Sequence, residues 1–188
     1  MSSIVLIGPR CVGKTEIGRK LSAELGIPFV DADEQFTETY GTIASFHARY
    51  GWSEFRKLET EVLEGICYRN RDTRTVLAPG GGAVAHDQGD NFRNRNVIAV
   101  RAFGRVVYLL PSLDLEESAS ILANREASDP NSVSNRPSLG NVRSLLEKRH
   151  PLYMNVAHHI ELTGTKSVDD IANTLLPSFR PALQHYSA

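Results

Sequence analysis

The sequence predicts a parallel α/β fold, and three observations carry that expectation. Short apolar runs alternate with segments of helical period along most of the chain. The runs are continuously apolar, as strands covered on both faces are. A glycine-rich loop separates the first run from the first helical segment, which is where such folds hold phosphate groups.

The elements follow in order. Ile4–Val5–Leu6–Ile7 is read as a buried strand. From Gly13 to Leu25, Ile17, Leu21 and Leu25 recur at i, i+4 and i+8, and Gly26 stops the helix. Pro28–Phe29–Val30 is a short second strand, Thr75–Val76–Leu77–Ala78 a third and Arg105 to Leu110 a fourth. His159 to Leu162 is a weaker fifth, followed by a helix from Val168 to Leu176 with Ser167 as its N-cap. No internal repeat is visible.

Two stretches break the alternation. Asp31 to Arg74 reads as helices, with Phe55, Leu58, Val62 and Ile66 along one stripe, and is far longer than an ordinary βα connection. An inserted subdomain with its own task is expected there. Glu126 to Ser138 is rich in Ser, Asn, Asp and Pro, with Val133 as its only large apolar residue. A segment that cannot bury itself is expected to move, and Arg125 and Arg136 lie at its two ends.

Composition narrows the function. A chain of 188 residues fits one domain, and 41% hydrophobic residues can build a sizeable core. The formal net charge of −1 gives no field of one sign to draw nucleic acid or an anionic membrane. Cys11 and Cys67 are too few for a disulfide framework, so a reducing compartment is expected. No apolar run approaches the roughly 20 residues that span a bilayer. Met-Ser-Ser leads straight into a strand without a signal-peptide pattern. The expectation is a cytoplasmic protein without nucleic-acid or membrane partners, acting as a monomer.

Gly8-Pro9-Arg10-Cys11-Val12-Gly13-Lys14-Thr15 matches G-x-x-x-x-G-K-[ST] in its strand-to-helix context. The glycines let successive N–H groups point into one concavity, and the following helix presents its positive end there. Cys11 to Glu16 are therefore expected to cradle the phosphates of ATP. Lys14 would reach the β- and γ-phosphates, and Thr15 would ligate Mg²⁺.

Asp31 and Asp33 follow the second strand at the edge of the sheet where ligands bind. In an extended chain their spacing puts both carboxylates on one side. They either divide the labour, one serving the metal and one taking a proton, or cap the next helix. Arg56 and Glu59, at i and i+3, share a helix face, and taken alone are an exposed pair of little energetic weight. Gly80-Gly81-Gly82 directly after a strand exposes backbone N–H groups to a ligand oxygen, or makes a simple turn. Arg149 shares a face with Leu145 and would point inward, where a cation needs an anionic partner. The six histidines show no metal-ligand spacing.

Taken together these motifs resemble the shikimate kinases over nearly the whole chain. The resemblance runs through the phosphate loop, Phe29-Val30-Asp31-Ala32-Asp33, Gly51 and Phe55-Arg56-Lys57-Leu58-Glu59. It continues in Pro79-Gly80-Gly81-Gly82-Ala83-Val84, Val106-Val107-Tyr108-Leu109, Asn135-Arg136-Pro137 and Lys148-Arg149-His150-Pro151-Leu152-Tyr153. It implies a three-layer, nucleoside-monophosphate-kinase-like fold with a five-stranded parallel sheet. The core would be 1–30, 75–124 and 140–176, the substrate-binding insertion 31–74 and the lid 125–139.

The resemblance also implies transfer of the ATP γ-phosphoryl group to the 3-hydroxyl of shikimate. Asp33 would bind ring hydroxyls and act as base, while Arg56 and Arg149 would hold the carboxylate. Gly80, Gly81 and Gly82 would contact a hydroxyl, Arg136 would reach the phosphates from the lid, and Asp31 would hold a water of Mg²⁺. Three positions depart from the family pattern. Glu16 replaces a frequent Ser or Thr near the α-phosphate, the lid is longer, and Ser138 stands where Leu is common. A kinase of another hydroxy acid such as gluconate would not call for both arginines with the triple glycine. A non-catalytic regulatory paralogue would be expected to lack Lys14, Asp33 or Arg136, and all three are present.

Overall fold

In a computed structural model, residues 2–86, 90–128 and 139–180 are described. Their five strands form one all-parallel sheet in the order β2-β3-β1-β4-β5. These are β1 (Ser3–Ile7), β2 (Phe29–Asp31), β3 (Val76–Ala78), β4 (Gly104–Leu110) and β5 (His159–Leu162). The expected α/β class and strand count hold. β1 and β3 are buried throughout and β4 at all but Arg105, because helices cover both faces of the sheet.

The helices are α1 (Lys14–Leu25), α2 (Ala32–Tyr40), α3 (Ile43–Arg69), α4 (Asp90–Phe103), α5 (Leu115–Ser128), α6 (Leu139–Val156) and α7 (Val168–Leu175). Gly26 closes α1 in the left-handed conformation, with φ 63°. Ser167 caps α7 as expected and exchanges bonds with Asp170 in a capping box. That bonding holds the Asp170 carboxyl below its usual range. The helix from Asp90 to Phe103 is absent from the sequence reading. Its polar run of Asn and Arg hides a narrow apolar stripe, of which Val100 and the polar Asn96 are wholly buried.

Asp31 to Arg74 does fold as helices between β2 and β3. A small core of Phe36, Phe46 and Phe55 joins them, with ring centroids 4.9 and 5.3 Å apart in edge-on contacts. The long helix starts earlier than its apolar stripe suggested, at Ile43, and bends at Gly51, whose φ of 80° and ψ of 172° break the helical run. The chain beyond Pro177 contributes more than its sequence shows. Phe179 is buried against the core, and its carbonyl accepts a bond from Arg74.

Candidate active site

Three chain segments leave the carboxyl edge of the sheet side by side. Gly8–Gly13 follows β1, Ala32–Asp33 follows Asp31 at the end of β2, and Pro79–Gly82 follows β3. The strand order places β1 and β2 on either side of β3, so sequence-distant loops share one edge.

The phosphate loop curls around a cavity of about 210 Å³ lined by Arg10, Cys11, Gly13, Lys14, Thr15, Glu16, Asp31, Asp33, Pro79 and Gly81. Cys11 is the one non-glycine residue with positive φ, at 59°, among the described residues. With Gly13 at φ 99°, it gives the loop the left-handed turns that a phosphate-binding backbone concavity is built from. Lys14 Nζ donates to the carbonyls of Gly8 at 3.2 Å and Pro9 at 2.9 Å. Burial lowers the Lys14 pKa, and the carboxylates of Asp33 and Asp31 pull it back up.

Asp31 takes the capping role that its sequence position left open and keeps its second oxygen on the phosphate loop. One oxygen, Oδ1, accepts from the N–H groups of Asp33 at 3.0 Å and Glu34 at 3.4 Å and so caps α2. The other, Oδ2, accepts the Thr15 hydroxyl at 2.7 Å. Hydroxyl and carboxylate oxygens converging beside a phosphate loop are hard ligands that suit Mg²⁺. Among the described residues no group of three or more His, Cys, Asp or Glu gathers, so an ion held here would take most of its shell from phosphates and water.

Asp33 corrects one expectation. It sits in the first turn of α2, not in extended chain, so the alternation argument for its side fails. The helical turn still delivers it to the same cavity as Asp31. Burial pushes its carboxyl pKa up, Lys14 draws it down, and the Asp31 charge adds to the rise. The result is a stronger base than a solvated aspartate.

A second, larger cleft of about 1010 Å³ opens beside the first, and Asp33, Arg56, Glu59, Trp52, Arg149 and Tyr153 line it. The Arg56–Glu59 pair is not the exposed pair that i, i+3 spacing alone suggests. Both residues are 5% exposed or less, and Arg56 Nη1 lies 2.7 Å from Glu59 Oε2. Arg56 also stands over the Trp52 and Phe55 rings at 5.2 and 5.0 Å. Its Nε is a buried donor with no partner among the described residues. A buried guanidinium that lines a cleft and keeps an unpaired donor is fitted to an anion.

The glycine run now has a steric reason. A Cβ on Gly80 would lie 2.5 Å from Asp33 Oδ1 and 2.9 Å from Glu59 Oε1, and one on Gly82 would lie 2.5 Å from Arg56 Nη2. The missing side chains are the space that the charged groups occupy. The run also turns, since Ala83 N donates to the Gly80 carbonyl at 3.0 Å.

Arg149 faces the same cleft from α6, and so does half-exposed Leu145, which forms its wall and not core. Tyr153, four residues on, had no assigned role. Buried to 1% exposure, it donates its hydroxyl to the Gly81 carbonyl and lies against Arg149, with its pKa pushed up to about 12 by burial. Its ring stacks on Tyr108 at 4.9 Å. The signal was the i, i+4 spacing of Arg149 and Tyr153. His158, also without an assigned role, accepts from Val106 N at 3.0 Å and ties the start of β5 to β4. Arg125 donates to the Gly164 carbonyl at 2.7 Å, while Arg136, Ser138 and the body of the expected lid lie outside the described residues.

Glu59 makes a pH prediction. Burial pushes its pKa to about 7 although the Arg56 charge and bond pull it down, so desolvation outweighs the pair. The native state then keeps a proton that the unfolded chain releases near pH 4.5, so the stability this group contributes is fully present below that pH and is lost as pH rises through about 7. The swing is about 3 kcal/mol in scale. Glu59→Gln should flatten it, as urea unfolding at about pH 5 and about pH 8 would show. An unchanged slope in the variant would assign the effect elsewhere.

Comparison with known proteins agrees with this geometry. The sequence profile of the shikimate kinase family matches residues 10–180. The chain is 34% identical over 181 residues to shikimate kinase 2 of Yersinia enterocolitica, covering 93% of each protein. It is 35% identical over 158 residues to shikimate kinase 2 of Dickeya chrysanthemi, covering 84% of each. The shikimate kinase of Acinetobacter baumannii in complex with shikimate superposes with a TM-score of 0.77 at 31% identity, over 95% of this chain and 92% of that one. The Aquifex aeolicus enzyme gives 0.68 at 28% identity, over 94% of each. A phosphate loop, a pair of arginines and a glycine run that meet at one sheet edge, in a chain matched almost end to end, place this protein in the shikimate kinase family.

Proposed function

We propose that the protein transfers the γ-phosphoryl group of ATP to the 3-hydroxyl of shikimate, as a monomer in the cytoplasm. The observation that carries the reading is the buried Arg56, with its unpaired Nε donor, lining one cleft together with Arg149. Two cations serve one carboxylate, while Asp33 and the exposed backbone of Gly80–Gly82 serve hydroxyls. The insertion 31–74 thus carries the acceptor site. Among the described residues no helix is long and apolar enough to cross a membrane.

In the reaction the bond between the γ-phosphorus and the β–γ bridging oxygen breaks, leaving its electron pair on ADP. A bond forms from the acceptor oxygen to that phosphorus, and the acceptor's proton passes to Asp33. Lys14 exchanges its loop carbonyls for phosphate oxygens and follows the charge. Thr15 and Asp31, the latter through water, would hold Mg²⁺, which neutralises phosphate charge when bound. Cys11, Val12, Gly13 and Glu16 contribute the loop's backbone donors. Arg136 is assigned to the phosphates by resemblance to the family.

Asp33→Asn separates base from positioning. The amide still binds hydroxyls but accepts no proton, so kcat should fall about a hundredfold with KM nearly unchanged. If KM rises in step with the loss, positioning is the larger part of its work. The reading itself is tested by ADP release with shikimate, gluconate, quinate and nucleoside monophosphates as acceptors. Shikimate should exceed the others in kcat/KM by at least about a hundredfold, and a better rate with gluconate would overturn the assignment.

A further inference from the structure

We propose that Arg10, inside the phosphate loop, is a further catalytic residue that holds the transferred phosphoryl group between donor and acceptor. This rests on the reading above. Three residues line both cavities, Arg10, Asp33 and Gly81, so the junction of the two sites carries one cation, one carboxylate and one bare backbone unit. The phosphorus must cross that junction, because its old bond lies over the phosphate loop and its new one beside Asp33. Lys14 is anchored at the loop's floor, on the carbonyls of Gly8 and Pro9. Arg56 and Arg149 belong to the far cleft alone. Arg10 is the cation placed to stay with the phosphoryl group after the bond to ADP breaks.

Its surroundings fit an exchangeable anion. The side chain is 63% exposed and its one ion pair among the described residues, with Glu126 on α5, is loose at 3.7 Å. Such a pair holds the side chain weakly and yields to a phosphate that accepts two N–H bonds from the guanidinium fork. Arg10 is also close enough to draw down the Asp33 pKa, so its charge already acts on the group beside which the acceptor oxygen sits. Backbone placement supports the side chain, since Arg10 N lies 3.2 Å from where a Gly81 Cβ would be, which fixes the loop against the glycine run.

The test compares Arg10→Ala, Arg10→Lys and Glu126→Gln in the full chain. Binding of ADP, shikimate and shikimate 3-phosphate is titrated calorimetrically, and kcat is measured with ATP and shikimate. Arg10→Ala should lower kcat by about tenfold to a hundredfold and weaken shikimate 3-phosphate about as much, with shikimate affinity within about twofold of wild type. Arg10→Lys should recover part of both losses, because the charge remains while the fork is lost. Glu126→Gln should keep at least about half of the wild-type kcat, since it removes only the resting partner. Equal loss in Glu126→Gln would mean that the ion pair and not the phosphoryl contact matters. An Arg10→Ala enzyme that binds shikimate 3-phosphate like wild type would overturn the proposal. A wild-type protein that turns over ATP but not with shikimate would instead refute the reading on which it rests.

Discussion

Lys14→Met should leave a folded protein whose kcat is lower by at least about a hundredfold. On the proposed reading the lysine is the loop cation that engages the γ-phosphate of bound ATP and follows its charge into a loose transition state, and electrostatic donors of this kind are worth that much or more. Its contribution to the fold is small by comparison. It donates to two carbonyls of its own loop, and such bonds contribute about 1 kcal/mol each. The methionine chain fills the same volume, and its loss of charge relieves the cost of desolvating an ammonium. Circular dichroism should therefore match wild type while turnover collapses. Retention of more than about a tenth of kcat would contradict the role given to this loop.

Arg56→Ala and Arg149→Ala should each weaken shikimate binding by about 2–4 kcal/mol while ADP binding stays near wild type. On the proposed reading each variant leaves the substrate carboxylate with one cation where it had two. The two differ in what they do to the protein. Arg56 is buried against Glu59, so its removal strands a carboxylate in the interior. Glu59 already has a pKa raised to about 7, and without Arg56 it takes up a proton at still higher pH instead of remaining charged. Arg56→Ala should therefore lose stability mainly above neutral pH, and Arg149→Ala should not. Losses of both ligands together would indicate a general folding defect, and unaltered shikimate binding would remove the carboxylate site.

Much of this was legible in the sequence because its signals are local. The phosphate loop is a contiguous motif whose spacing carries its chemistry, and the strands are apolar runs set apart by turns. The exposed reading of Arg56 and Glu59 failed because spacing gives a shared face but not what covers it. The cover is Gly80–Gly82, which lies about twenty residues further on and leaves room only by lacking side chains. The placement of Asp33 failed for a different reason. Asp31 caps α2 so early that the extended chain ends before the second carboxylate. Tyr153 and Arg10 went without roles because their partners, Gly81 and the junction of two cavities, exist only once β1, β3 and α6 have come together. The helix Asp90–Phe103 was missed because its first half is a run of Asp, Asn and Arg broken only by Phe92.

The most direct test of the account follows the phosphorus itself. With ATP, Mg²⁺ and shikimate, phosphorus NMR should show the γ-phosphate signal replaced by one phosphomonoester whose phosphorus couples to the ring proton at the carbon bearing the 3-oxygen, in step with ADP. Inorganic phosphate as the only new signal, or a phosphomonoester at another ring oxygen, would contradict transfer to the 3-hydroxyl.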